Sequence, residues 1–385
     1  MAGQHQKNEP PKELFVSHER KENTTEMITK PSRSFFQDAR RTFFKNKMAV
    51  VSIILMIIII LMSIIGPYFN EYGMDGQDLS RAKMPPRVPV AENIPFLGMD
   101  GTLQDEFKGS TVEEATENAV MRYDNAEDFV DIEVLSEGDG STDSAEVSAT
   151  YNIYEAKEMT DDYFWLGTDQ LGRDQWTRIW LGTRVSLIIA FVAAAIDLLI
   201  GVAYGGISGY YGGRVDDVLQ RIIEILSGIP NLVVIFLLLI VLQPGIMSIV
   251  LALTITGWTG MARIVRGEVL KQKNEEYVLA ARTLGQTNGK IIRKHLMPNI
   301  AGIIIINTMF TIPSAIFFEA FLSFIGLGIV PPEASLGALI DAGFKVFRLY
   351  PYLVFYPAVL ISIIMIAFNL IGDGLRDAFD PRMHK

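Results

Sequence analysis

Residues 48–65 run for 18 positions without one charged side chain. In a helix, at 1.5 Å per residue, such a run covers most of the hydrocarbon core of a bilayer, which takes about 20 apolar residues. In lipid the backbone must satisfy its own polar groups, so a segment of this kind is a membrane-spanning helix. A polar leader precedes it and no small-residue cleavage pattern follows, so it reads as a span that stays. Five further apolar stretches occur at 185–207, 226–242, 246–262, 300–320 and 350–371. The chain is 49% hydrophobic, and those residues are concentrated rather than scattered. The fold class that follows is an all-α polytopic membrane protein with about six transmembrane helices.

The charge is as unevenly placed as the apolar residues. Between positions 68 and 162 there are 23 Asp/Glu against 6 Lys/Arg, a net −17. The remainder carries 21 acids against 28 bases, a net +7. An acidic insert therefore sits in a basic membrane protein. Lys and Arg beside spans stay cytoplasmic. Arg40, Arg41, Lys45 and Lys47 place the start of the first span inside, and the insert outside. The basic segment 263–299 returns to the cytoplasm, and six spans bring both termini there. The insert is expected to be a small α+β or irregular extracellular domain. Residues 129–135 alternate as a strand does, and 137–143 read as a turn. Residues 1–34 are polar enough to predict a disordered cytoplasmic tail.

Local signals refine this outline. Phe35, Phe36, Phe43 and Phe44 alternate with Arg40, Arg41 and Lys45, as in an amphipathic helix on the membrane surface, or in a plain extension of the first span. Asp174 is a good N-cap and Gly182 a good terminator, so a short helix is expected between them, with Trp176 and Trp180 on one face at the outer interface. Residues 205–221, rich in glycine and charge, read as a cytoplasmic connection. Pro244-Gly245 turns the chain outside. The stretch 300–329 is too long for one untilted span, and Pro313, Gly326 and Gly328 can break it.

The segment after span 4 predicts an elbow. Good helix formers continue to Thr283, so span 4 is expected to run on into the cytoplasm. Gly285 ends that helix by taking a left-handed conformation. Thr287 or Asn288 then caps a second helix, which Pro298 closes. Ala280 and Ala281 offer a small face to another protein surface. Arg282, Lys290, Arg293 and Lys294 can pair with acids on it. On its own, this pattern also fits any loop between membrane helices.

Glu276, Ala280, Ala281 and Gly285 resemble the EAA loop of permease subunits in ATP-binding-cassette importers. The string Gly167-Thr168-Asp169-Gln-Leu-Gly172-Arg173-Asp174 is similar to a segment of the C-type permease subunits of dipeptide and oligopeptide importers. Gly209-Tyr-Tyr-Gly-Gly-Arg214, Glu319-Ala-Phe-Leu-Ser323 and Gly372-Asp373-Gly374 agree with it. The resemblance covers about 35–66 and 163–385 and excludes the insert, which is longer than the loop the family usually has. It implies a type I importer permease fold: an interfacial helix and first span at 35–67, the acidic insert at 68–162, and a permease core at 163–385 with five spans and a cytoplasmic coupling loop at 263–299. It also implies the partners: a homologous second permease subunit, two cytoplasmic ATPase subunits, an extracellular peptide-binding protein, and the lipid of a bacterial plasma membrane. The coupling residues it implies are Glu276, Ala280, Ala281, Arg282, Gly285, His295 and Pro298. ATP and Mg would be held by the ATPase partners, with no cofactor or metal on this chain and no nucleic-acid partner.

Two acids fall at membrane depth, Asp197 and Glu319. A charged group there costs a few kcal/mol and should face protein or water. Each is a residue of the substrate path, or else makes a helix–helix hydrogen bond. The absent motifs narrow the function further. The chain has no cysteine, 4 His and no phosphate-binding loop, since Gly289-Lys290 is followed by Ile291. It carries no hydrolytic signature and reads as a non-catalytic subunit. Other readings are an ion-coupled carrier using Asp197 and Glu319, a membrane-anchored sensor whose insert is the active part, and an importer permease for nickel or another solute.

Overall fold

The computed structural model describes residues 35–380 apart from 74–75, 90, 95–97, 124–126, 139–143 and 244. The expected tail at 1–34, most of the turn at 137–143, and Pro244 lie outside the described residues.

Helix α1 (Phe35–Phe43) packs the buried Ala39 and Phe43 onto the last helix, while Arg40, Arg41 and Phe44 face outward. Asn46 caps helix α2 (Lys47–Ile65) by accepting from Ala49 N at 3.2 Å. One narrow stripe of α2, including Ala49, Met56 and Ile59, is buried. Ile54, Ile57, Ile58 and Leu61 are exposed, as on a helix at the edge of the bundle.

The insert folds as an α+β unit. Strands β1 (Thr102–Gly109), β2 (Val130–Ser136) and β3 (Ala145–Asn152) form an antiparallel sheet in the order β1-β3-β2. Helix α3 (Val112–Arg122), capped by Thr111, covers it. Its core is Met84, Ala119, Tyr123, Ala149, Tyr154 and Phe164, with Tyr123 and Tyr151 stacked at 4.7 Å. A short helix α4 (Ile153–Ala156) follows β3.

A clasp fastens this unit to the helices. Asp78 N donates to Leu171 O at 3.1 Å, Lys83 N to Asp169 O at 3.0 Å, and Thr168 N to Met84 O at 2.9 Å. Asp169 gathers the turn, accepting from Leu171 N, Arg173 N and Arg173 Nε at 2.9, 3.0 and 2.7 Å. Gly172 has φ 73°, and a Cβ there would lie 1.8 Å from Asp78 O, so only glycine fits. The segment Gly167–Asp174 is thus a joint between insert and bundle.

Helix α5 (Gln175–Tyr211) starts at Asp174, whose Oδ2 accepts from Thr177 N and Asn70 Nδ2, both at 2.7 Å. Burial raises the Asp174 carboxyl above its ordinary range, and those hydrogen bonds oppose it. The break expected at Gly182 is absent; α5 is one helix of 37 residues. Gly182 is instead a close approach, where an added Cβ would lie 3.1 Å from the Ser335 carbonyl carbon. Trp176 and Trp180 pack over the end of α2. Trp176 Nε1 donates to Gly66 O at 2.8 Å, and a Cβ on Gly66 would meet Trp180 at 2.8 Å.

The connection expected at 205–221 is helical too. Gly201, Gly205 and Gly209 recur at every fourth residue and face helix α8 (Ile246–Gln272). Added Cβ atoms there would lie 2.6 Å from Met261 Cβ, 2.3 Å from Ala262 O and 2.9 Å from Arg266 O. These glycines form a packing seam, the small-residue contact by which membrane helices approach each other.

Span 3 is bent. Helices α6 (Gly213–Gly228) and α7 (Asn231–Leu242) meet at 79°. Ile229, held extended by Pro230, breaks the helix. Arg266 Nε and Nη2 grip Asp216 at 2.6 Å each, tying α6 to α8, and Ser208 of α5 bonds the same carboxylate.

The remaining elements are α9 (Glu276–Thr283), α10 (Asn288–Lys290), α11 (Met297–Leu322), α12 (Leu336–Phe344) and α13 (Tyr352–Phe379). Among the described residues, five helical stretches are long and apolar enough to cross a membrane, and six if the bent pair counts as one span. Pro313 does not interrupt α11, but Gly326, at φ 81°, breaks the π-helical turn Ser323–Leu327 that follows it, as its position in the long apolar stretch led us to expect.

Candidate functional site

Two places gather the sequence-predicted residues. The first is the elbow, at the end of the bundle away from the insert. Helix α8 does not run on to Thr283. It stops at Gln272, and α9 begins anew at Glu276. Lys273 Nζ reaches back to Gly209 O at 3.0 Å. Gly285, at φ 77°, ends α9 as expected. Gln286 N donates to Ala281 O at 3.1 Å and Gly285 N to Arg282 O at 3.0 Å, the paired bonds of a Schellman stop.

The expected small face divides in two. Val278 and Ala281 point inward and pack with Ile291, Leu296, Val269 and Tyr210. Ala280 points outward with Glu276, Leu279 and Leu284, and Leu284 is 81% exposed. His295 faces into the elbow, where Nε2 and Gln286 Oε1 are 2.8 Å apart. Asn288 accepts from Tyr210 OH at 2.9 Å, and the Arg282 guanidinium lies 5.7 Å from the Tyr210 ring centre. Arg282, Lys290, Arg293 and Lys294 are exposed. Pro298 does not close the second helix. It occupies the first turn of α11, where its missing N–H costs nothing, and the helix passes through a π-helical stretch, Ile291–Leu296, into the span.

The second place is a cavity of about 340 Å³ in the middle of the bundle, between α5, α7, α8 and α11. Its polar wall is Asp197, Asn231, Thr256, Asn307, Thr311 and Ser314. Asp197 is 7% exposed, and its Oδ1 has no hydrogen-bond partner. The alternative reading of Asp197, a helix–helix hydrogen bond, is not what the described residues present. Gly257 makes room for the carboxylate, since a Cβ there would lie 2.5 Å from Asp197 Oδ2. A larger cavity, about 620 Å³, adjoins it toward the elbow end and shares Ile264 and Asn307 with it.

Glu319 takes the other reading. It is fully buried, accepts from Ser186 Oγ and Ser323 Oγ at 2.9 Å each, and is not among the residues lining the central cavity. Ser186 Oγ in turn accepts from Leu336 N at 3.2 Å. Glu319 therefore knots α5, α11 and the start of α12 together.

Sequence reasoning missed the glycine seam of α5, which the four-residue spacing of Gly201, Gly205 and Gly209 records. It also missed the polar cavity wall. Asn307, Thr311 and Ser314 sit at helical spacing in α11 and signal it.

Residues 201–385 match the family model described as binding-protein-dependent transport system inner membrane component, and residues 34–86 match that of the N-terminal transmembrane domain of oligopeptide transport permease C. The dipeptide transport system permease protein of Bacillus subtilis is 38% identical over 381 residues, 99% of this chain and 96% of that protein. The oligopeptide transport system permease protein of the same organism is 37% identical over 97% of this chain and 99% of that protein. The dipeptide transport system permease protein of Lactococcus lactis is 40% identical over 94% of each chain. These matches run nearly end to end, while the two family models leave residues 87–200, which include most of the acidic insert, unmatched.

Proposed function

The chain belongs to the binding-protein-dependent transport inner membrane components, among the C-type permease subunits of dipeptide and oligopeptide transporters, and from that premise we propose that it forms half of the translocation pathway of an ATP-driven peptide importer. The near full-length likeness to dipeptide and oligopeptide permeases carries this reading. In it, the chain is a non-catalytic subunit of a bacterial plasma membrane. A homologous second permease completes the path, and two cytoplasmic ATPase subunits hold ATP and Mg.

The elbow at 276–298 is the coupling element. Its inner face is packed onto the ends of α5 and α8, so a push on α9 is passed to two spans rather than absorbed by a loose loop. Its outer face presents Glu276, Ala280 and Leu284, with Arg282, Lys290, Arg293 and Lys294 around it. Motion delivered there reaches the glycine seam between α5 and α8, both of which line the central cavity. This orientation places the elbow and both termini in the cytoplasm and the insert outside, where it receives a peptide-loaded binding protein.

The insert is clasped to α5 and cannot be cut out cleanly. Neutralising its exposed Glu113, Glu117, Asp131 and Glu133 to the amides therefore tests the receiving role. A weaker, less salt-sensitive dependence of uptake on the loaded binding protein supports it, because charge-steered encounter fades as salt screens it over about 8–10 Å. Unchanged dependence makes the insert a solvated spacer. Affinity purification of the tagged chain tests the whole assignment. Two ATPase chains and one further permease should come with it, and recovery of the chain alone with intact peptide uptake contradicts the reading.

A further inference from the structure

Asp197 carries a consequence of its own. The residue is more than nine-tenths buried, its Oδ1 is buried and unpartnered, and it lines a cavity large enough for several peptide atoms. Burying an acid at membrane depth without a partner is costly, and such groups mark the paths of ligands and ions. Building on the peptide-pathway reading above, we propose that Asp197 is a subsite for a protonated amine, holding the α-ammonium group of a peptide as it passes through the bundle.

The surroundings favour an ammonium group over a bare ion. A small hard cation takes several oxygen ligands in a tight shell. Among the described residues no cluster of three metal-ligating side chains exists, and Asp197 is the one acid in the cavity wall. The remaining wall is mixed. Thr256, Asn307 and Thr311 offer hydroxyl and amide oxygens, and Ile235, Leu253 and Phe310 offer apolar surface. An ammonium group with three N–H donors on an organic body meets both kinds of wall. Phe318 adds further apolar surface to the same wall. Gly257 is part of the site, because any side chain there displaces the carboxylate.

The whole chain lacks cysteine, so one introduced cysteine reports on this cavity alone. Ser314→Cys places it in the wall, at an exposed position. The complex, assembled with cysteine-free partner subunits in nanodiscs, is labelled with a small thiol reagent. Trialanine, N-acetyl-trialanine, sodium chloride or potassium chloride is added as protectant. Trialanine should protect at a concentration at least about tenfold below that needed for the acetylated peptide, a gap of about 1.4 kcal/mol. Asp197→Asn and Gly257→Ala should each erase that gap, while Asp197→Glu retains part of it. Equal unprotected labelling rates show that the cavity is intact in each variant.

Equal protection by free and acetylated peptides overturns the ammonium subsite and leaves the peptide pathway standing. Protection by sodium or potassium at the trialanine concentration also overturns it, in favour of an inorganic cation site. If no peptide protects at any concentration, the pathway reading itself fails. The comparison of the two peptides on unaltered Asp197 decides the matter even where a variant does not assemble.

Discussion

Asp197 and Glu319 are both buried among the helices of the bundle, and they are built in opposite ways. Glu319 is closed on all sides, with both carboxylate oxygens taken by serine hydroxyls and three helices meeting at it. Asp197 is open on one side, with an unpartnered oxygen at a cavity and a glycine set opposite to clear space. The difference teaches that an acid at membrane depth is not a single signal. Satisfied by its neighbours, it fixes an architecture. Left unsatisfied, it keeps a place for something else.

This contrast has consequences for stability. Glu319→Ala should have the largest effect. It leaves a cavity and strands two buried hydroxyls, a loss of about 3 kcal/mol or more. The purified complex should unfold at lower temperature, and Glu319→Gln, which keeps the volume and one acceptor oxygen, should recover much of the loss. Ser186→Ala should cost about 1–2 kcal/mol, because the Leu336 N–H and one Glu319 oxygen lose their partner. Thermal unfolding in detergent measures both. Asp197→Asn should change stability least, within about 0.5 kcal/mol or toward a gain, since it removes no protein contact and eases burial of a charge. A large destabilisation by Asp197→Asn would erase the distinction between the two sites.

The sequence makes the membrane class legible because the bilayer imposes a coarse rule, a run of apolar residues as long as the hydrocarbon core. The elbow is legible at Gly285, where a left-handed residue ends a helix by a local rule. Helix ends that depend on tertiary packing are not legible. Gly182 and Gly205 look like terminators, yet each is a contact point between helices, and in lipid a continuous helix satisfies its own backbone. Likewise Pro313 and Pro298 look like breakers. One is tolerated within a packed span, and the other sits where a helix begins. Ala280 and Ala281 are adjacent in sequence and face opposite ways, which no composition argument resolves. Asp197 and Glu319 are indistinguishable as letters, and only the placement of Ser186 and Gly257, distant in the chain, separates them.

The most direct test of the account is ATP-driven uptake by the complete complex in proteoliposomes, comparing the native elbow with Gly285→Pro. Proline cannot adopt φ 77°, and it removes the N–H that bonds Arg282 O. Glu276→Lys, which puts the wrong charge at the start of α9, is the second variant. The native complex should import a labelled peptide only with ATP and the loaded binding protein. Both variants should reach the membrane in normal amount and lose uptake together with substrate-stimulated ATP hydrolysis. Normal stimulated hydrolysis and uptake in both variants would contradict the coupling role of the elbow.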